Sequence, residues 1–248
     1  MKRENDLKKL LGELKKDIEV KDEYKYIGTG NPLAEILIIG KEVSISKDDS
    51  DQYKQEIEGN FNFWLNTDNH NVNNINQGYN PLYPYRGQEL KLDNKKGNWG
   101  TSKTWMMYQK LYNLIYNTPD NNQINFHEKF FITEVNSTPS QKTAYANKDS
   151  ISYRKAKIFE SDFIKGFPIV IISGVGYFET QINNEIEKIF DVKFTAKCNP
   201  ENQPKQPYWV HKSEDNQKIL INTYQLSMNI SNELLTVISE EIKKSGLL

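Results

Sequence analysis

Glu35-Ile-Leu-Ile-Ile-Gly40 is a short, unbroken apolar run closed by a glycine. Its length and β-branched content predict a strand buried on both faces, as in a parallel sheet. Two further runs share this character: Lys129-Phe-Phe-Ile-Thr-Glu-Val135 and Pro168-Ile-Val-Ile-Ile-Ser-Gly174. Helical periodicity surrounds them. Leu7, Leu10, Leu11, Leu14 and Ile18 form one apolar stripe with lysines opposite, predicting a first helix over about 5–19. Trp105, Tyr108, Leu111, Tyr112 and Ile115 turn one face inward on a second helix, with Ser102 as its cap. Residues 151–165 and 175–190 read as helices, and residues 192–196, 208–212 and 218–223 as later strands. Ser231 caps a last helix that carries Leu234, Leu235, Val237, Ile238 and Ile242 inward. Short apolar strands alternating with helices define an α/β chain. The expected fold is a three-layer α/β/α sandwich with a central, mainly parallel sheet, formed as one domain over 1–248.

Composition narrows the function. The chain has 248 residues, a net charge of −1 and a single cysteine, Cys198. One cysteine forms no internal disulfide, and neither it nor the scattered His70, His127 and His211 has metal-ligand spacing. No metal or cofactor is expected. No apolar run reaches the ~20 residues that span a bilayer, and the charged start is not followed by a signal-peptide core. A cytoplasmic monomer without membrane contact is the expectation. Near-neutral charge does not advertise a nucleic-acid partner, although a local basic patch suffices for one.

Residues 43–100 form a long Asn-, Gly- and Tyr-rich insertion. The recurrence of Phe61, Phe63, Trp64, Tyr79, Tyr83, Tyr85 and Trp99 favours an ordered excursion. Three segments follow directly from predicted strand ends: Gly40-Lys41-Glu42-Val43, Asn136-Ser137-Thr138-Pro139 and Tyr224-Gln225-Leu226-Ser227-Met228. In open α/β sheets ligands bind outside the carboxyl ends of the strands, so all three can converge on one pocket. A carboxylate, two amides and several hydroxyls suit recognition of a polar heterocycle, with a carboxylate available for acid–base or electrostatic work.

These motifs resemble those of the uracil-DNA glycosylase superfamily. Gly28-Thr-Gly-Asn-Pro-Leu-Ala-Glu-Ile-Leu-Ile-Ile-Gly40 is similar to the G-x-G-N-P-x-A-x-I-x-x-x-G approach of several branches. Gly40-Lys41-Glu42 resembles the first motif, with Glu42 at the position of the catalytic Asp or Asn. Asn136-Ser137-Thr138-Pro139 looks like the base-reading segment, and Gln225-Leu226-Ser227 takes the place of the last motif, H-P-S. The resemblance spans residues 28–235 in the family's order. It implies a DNA glycosylase that flips a nucleotide from the stack and cleaves its glycosidic bond through an oxocarbenium-like state.

The implied roles follow residue by residue. Glu42 stabilises the cation and orients water, Asn136 reads the base edge, and Gln225 donates to the departing base. Phe61, Phe63 or Trp64 stacks on the base. Gly40 and Lys41 line the pocket, Ser227 contacts a phosphate, and Met228 stands near the family's apolar wedge. Lys142, Lys148, Arg154, Lys155 and Lys157 are candidate phosphate contacts. Two departures cut against activity. Val43 stands where the family has proline, and Gln225 stands where it has a histidine, offering a neutral donor but no imidazole. The alternative is a catalytically silent module of the same fold that binds nucleic acid or a nucleotide.

Overall fold

A computed structural model describes residues 2–43, 45, 50–67, 80–84, 103–119, 123–140, 143–174, 176–180, 182, 184–201, 203, 205–226 and 230–248. Its strands are β1 (Thr29–Gly30), β2 (Ile36–Glu42), β3 (Phe130–Asn136), β4 (Ile169–Ser173), β5 (Lys193–Cys198), β6 (Tyr208–Lys212) and β7 (Ile219–Thr223). Its helices are α1 (Lys2–Leu14), α2 (Ser50–Tyr53), α3 (Gly59–Asn66), α4 (Lys103–Tyr116), α5 (Ser150–Arg154), α6 (Asp162–Lys165), α7 (Glu185–Phe190) and α8 (Asn232–Ser245). The strands form one seven-stranded sheet in the order β1-β3-β2-β4-β7-β6-β5. The central pairs β3/β2, β2/β4 and β4/β7 are parallel, and β1, β6 and β5 join antiparallel.

The three apolar runs become β2, β3 and β4 because each is flanked on both sides and buried on both faces. Alternation divides their side chains between two cores. Leu37, Ile39, Phe131, Val170 and Ile172 point to the face covered by Leu7 and Leu11 of α1, Trp64 of α3, Phe163 of α6 and Phe190 of α7. Ile36, Ile38, Phe130, Ile132, Ile169 and Ile171 point to the opposite face, under Tyr108 and Leu111 of α4 and Leu235 and Ile238 of α8. Helices on both faces of a mostly parallel sheet give the expected α/β layers. Among the described residues no helix is long and apolar enough to cross a membrane.

Several local expectations are corrected. The first helix ends at Leu14, and Ile18, placed on its apolar stripe by spacing, is 85% exposed beyond it. Residues 151–165 are not one helix: α5 runs into a π-helical turn, Lys155–Phe159, and α6 restarts after Ser161, whose side chain accepts from the Ile164 N–H. Residues 176–180 are not helical. Gly176 has φ +101 and Asn184 φ 42, both left-handed, so only Glu185–Phe190 forms a helix. Part of the 43–100 insertion is helical, as α2, the π turn Lys54–Glu58 and α3. Ser102, Tyr79, Tyr85 and Trp99 lie outside the described residues.

The last helix starts as its sequence indicates. The Leu234 N–H donates to Ser231 Oγ at 3.1 Å. Ser231→Ala is expected to cost about 1 kcal/mol by losing that cap. Equilibrium urea unfolding measures it, and an unchanged midpoint would show that the cap contributes nothing.

Candidate functional site

Numbered in chain order, the four parallel strands lie as second, first, third, fourth, because β3 and β4 flank β2 on opposite sides. The connections therefore diverge between β2 and β4, and in open α/β sheets it is the carboxyl end of the strands at such a switch point that receives ligands. Gly40, Lys41 and Glu42 end β2, and Ser173 ends β4, with Gly174 directly after it. On β3, Glu134 and Asn136 stand beside Gly40 and Glu42 in register. Gly40 with Glu134 and Glu42 with Asn136 thus form two adjacent pairs at the carboxyl end of the sheet.

Glu42 is 8% exposed, and the Tyr177 hydroxyl donates to its Oε2. Burial raises the Tyr177 phenol above its ordinary value, and the hydrogen bond to Glu42 reinforces the shift. Tyr177 also receives a hydrogen bond from Asn136. Lys41 Nζ lies 5.8 Å and Lys148 Nζ 5.5 Å from the centroid of the Tyr177 ring. A Cβ on Gly174 would come within 2.7 Å of Lys41 Cγ, so this glycine leaves room for the lysine stem.

Glu134 is the second carboxyl. A Cβ on Gly40 would lie 2.1 Å from Glu134 Oε2, so the Glu134 carboxyl occupies the space that any other residue at position 40 would fill. Burial, and then the nearby charge of Glu42, push its pKa up to about 8, against the pull of Arg154. Although its residue surface is partly open, its carboxyl is packed inside, and the packed carboxyl governs its ionisation. At neutral pH Glu134 therefore carries its proton, which places an acid next to Glu42.

Asn136 is committed within the fold. Its Nδ2 donates to the Asn147 carbonyl at 2.7 Å, and its Oδ1 accepts from Ser150 Oγ at 2.7 Å and from the Thr138 N–H at 3.1 Å. These bonds shape the loop after β3 and hold Asn136 beside Tyr177. Ser140 N–H donates to the Val43 carbonyl at 3.0 Å, tying that loop to the end of β2.

The third segment reaches the same end of the sheet. Ser173 Oγ accepts from the Leu226 N–H at 2.8 Å, which pins the loop after β7 against the end of β4. Gln225, half-buried, is the residue before this anchor. Ser227 and Met228 lie outside the described residues, as does Lys142. Phe61 is 3% exposed within the α1-side core and has no free face for a base, and Phe63 packs edge-on against Trp64 at 5.8 Å. The stacking role given to Phe61 is therefore corrected. Arg154 is likewise no phosphate contact, being 0% exposed. Lys155 pairs with Glu185, and Lys157 approaches Asp17 at 3.8 Å.

Tyr177 and Glu134 escaped the sequence reading. A glutamate inside an otherwise apolar strand was the available signal for Glu134. Tyr177 had none, because its place depends on the left-handed Gly176. No family model matches the chain, and no curated protein matches it.

Proposed function

We propose that the chain hydrolyses the N-glycosidic bond of uracil or another modified base in DNA, as a divergent relative of the uracil-DNA glycosylases. One observation carries the reading: the buried side chain of Glu42 stands at the carboxyl end of the first parallel strand, at the switch point, with the Glu134 carboxyl packed over Gly40 beside it. In this reading a flipped nucleotide enters above β2 and β4. Glu42 faces the sugar, stabilises the oxocarbenium-like state and orients the attacking water. Tyr177, held by Asn136, fixes the Glu42 carboxylate before the substrate arrives, so little reorganisation is left for the reaction. Gln225 donates to the departing base. Position 40 has to be glycine for Glu134 to sit where it does.

Base release tests the reading. The protein and its Glu42→Gln variant are incubated with single- and double-stranded oligonucleotides that contain uracil or another modified base, and abasic sites are detected by alkaline strand cleavage. Wild type is expected to release base, with the variant slower by about 100-fold, the scale of losing one preorganised charge. Equal rates would remove Glu42 from the mechanism. A second reading, a catalytically silent binder of nucleic acid or nucleotide, is favoured by the Tyr177 hydrogen bond that occupies Glu42 Oε2. Tight DNA binding without release by wild type would select it.

A further inference from the structure

Two cations meet at one aromatic ring beside the switch point. Lys41 comes from the end of β2 and Lys148 from the segment between β3 and α5, and their ammonium groups lie 5.8 Å and 5.5 Å from the Tyr177 centroid. Neither makes an ion pair or a side-chain hydrogen bond among the described residues. Two ammonium groups that share one ring repel each other, and no ion pair among the described residues offsets this. Here the stems are guided inward. Gly174 opens the space along Lys41 Cγ, and the ring of Tyr177 offers each ammonium its negative face. Tyr177 is itself anchored from below by Glu42 and Asn136, so the platform does not swing away.

We propose that Lys41 and Lys148 are the phosphate-binding rim of this site, so that its ligand is a phosphate-bearing nucleotide unit held with its phosphate at the lysines and its sugar toward Glu42. The inference deepens the reading of the site given above and rests on it for the direction of the sugar. The recognised chemistry is a phosphate oxygen on a nucleoside, supplied either by a nucleic-acid strand or by a free nucleotide. The other described lysines of the former basic stretch do not compete for this role: Lys155 is paired with Glu185, and Lys157 faces Asp17.

Binding, rather than cleavage, provides the test. Wild type, Lys41→Ala, Lys148→Ala and Lys148→Arg are titrated against a fluorescent single-stranded oligonucleotide without modified bases, over a range of salt concentrations. Thymidine 5′-monophosphate and thymidine serve as competitors. Lys197→Ala is the control, since Lys197 also lies over a ring, Trp209 at 5.8 Å, but on the far antiparallel edge of the sheet. Each alanine variant at the rim is expected to bind about 5–10-fold more weakly at low salt, with the slope of log K against log salt falling by about 0.7. Lys148→Arg and Lys197→Ala are expected to bind as wild type does, and the monophosphate is expected to compete where thymidine does not. Monophosphate binding measured directly by calorimetry, lost in both alanine variants and found without strand binding, supports the rim with a free nucleotide as its source. Lysine-dependent binding without base release supports the rim while the glycosylase reading fails. Unchanged affinity and slope in both alanine variants, equal competition by thymidine, or no binding of either ligand by wild type would overturn it.

Discussion

Replacing Arg154 by methionine is expected to destabilise the protein by about 3–5 kcal/mol, the scale of leaving several buried acceptors without a donor. Arg154 is 0% exposed, and its hydrogen-bond partners are neutral. Its Nε and Nη2 donate to the Glu134 carbonyl at 3.1 Å and 2.8 Å, Nη2 donates also to Thr133 Oγ1 at 3.0 Å, and Nη1 donates to the carbonyls of Tyr24, at 3.2 Å, and Tyr26. Burial lowers its pKa to about 10, which leaves it charged at neutral pH. The guanidinium fork satisfies carbonyls on two chain segments at once, and methionine matches its length while leaving those acceptors empty. Lysine would not rescue the loss, because a point ammonium cannot reproduce the fork. Urea unfolding of the three proteins measures this. A loss under about 1 kcal/mol for Arg154→Met would show that the carbonyls find other donors.

The second large effect is a change in pH dependence. Glu134 keeps its proton up to about pH 8 in the folded protein, against an ordinary value of 4.5. Between these values the folded state binds more protons than the unfolded state, so stability falls as pH rises from about 4.5 towards 8 and levels off above that. The groups facing Glu134 are Glu42 on β2, Arg154 on α5, Tyr26 before β1, Tyr108 on α4 and Tyr177 after β4. Of these, Glu42 raises its pKa and Arg154 lowers it, with burial the larger cause. Glu134→Gln mimics the protonated form at every pH. It is expected to match wild type near pH 4.5 and to exceed it by on the order of 4 kcal/mol at pH 8. Thermal unfolding of both proteins across this range reads the difference directly. A constant difference at all pH values would mean that Glu134 is not the titrating group.

The layers of the fold were legible because β2, β3 and β4 are buried on both faces. Burial of that kind writes itself as a continuous apolar run, which local sequence can show. The same reading carried Glu42 and Asn136 to strand ends, where their partnership follows from parallel register. What failed was information held by distant partners or by single backbone angles. The spacing of Ile18 continues the stripe of α1, but nothing in the stripe records that the chain turns after Leu14. Phe61 has the ring of a base stacker, and its ring alone does not tell that it faces the core. Arg154 counts as surface charge in any composition, and only three neutral carbonyls and a hydroxyl from remote segments make its burial tolerable. The run from Val175 onward contains helix-compatible residues, and left-handed Gly176 overrules them.

The Arg154 clasp also imposes an order in time. Tyr24 and Tyr26 lie 130 and 128 residues before it, and Thr133 and Glu134 lie 21 and 20 residues before it. Every acceptor is synthesised before the donor that satisfies it. On a ribosome the segment ahead of β1 and the newly made β3 must therefore remain unlocked until the helix bearing Arg154 emerges. Closing the longer of these loops carries the larger entropic cost, so the clasp favours a late, cooperative closure over stepwise assembly from the first residues onward. A nascent chain halted before Arg154 has left the exit tunnel would keep the segment ahead of β1 and the carboxyl end of β3 open to proteolysis, and emergence of Arg154 would let those two segments be tied together.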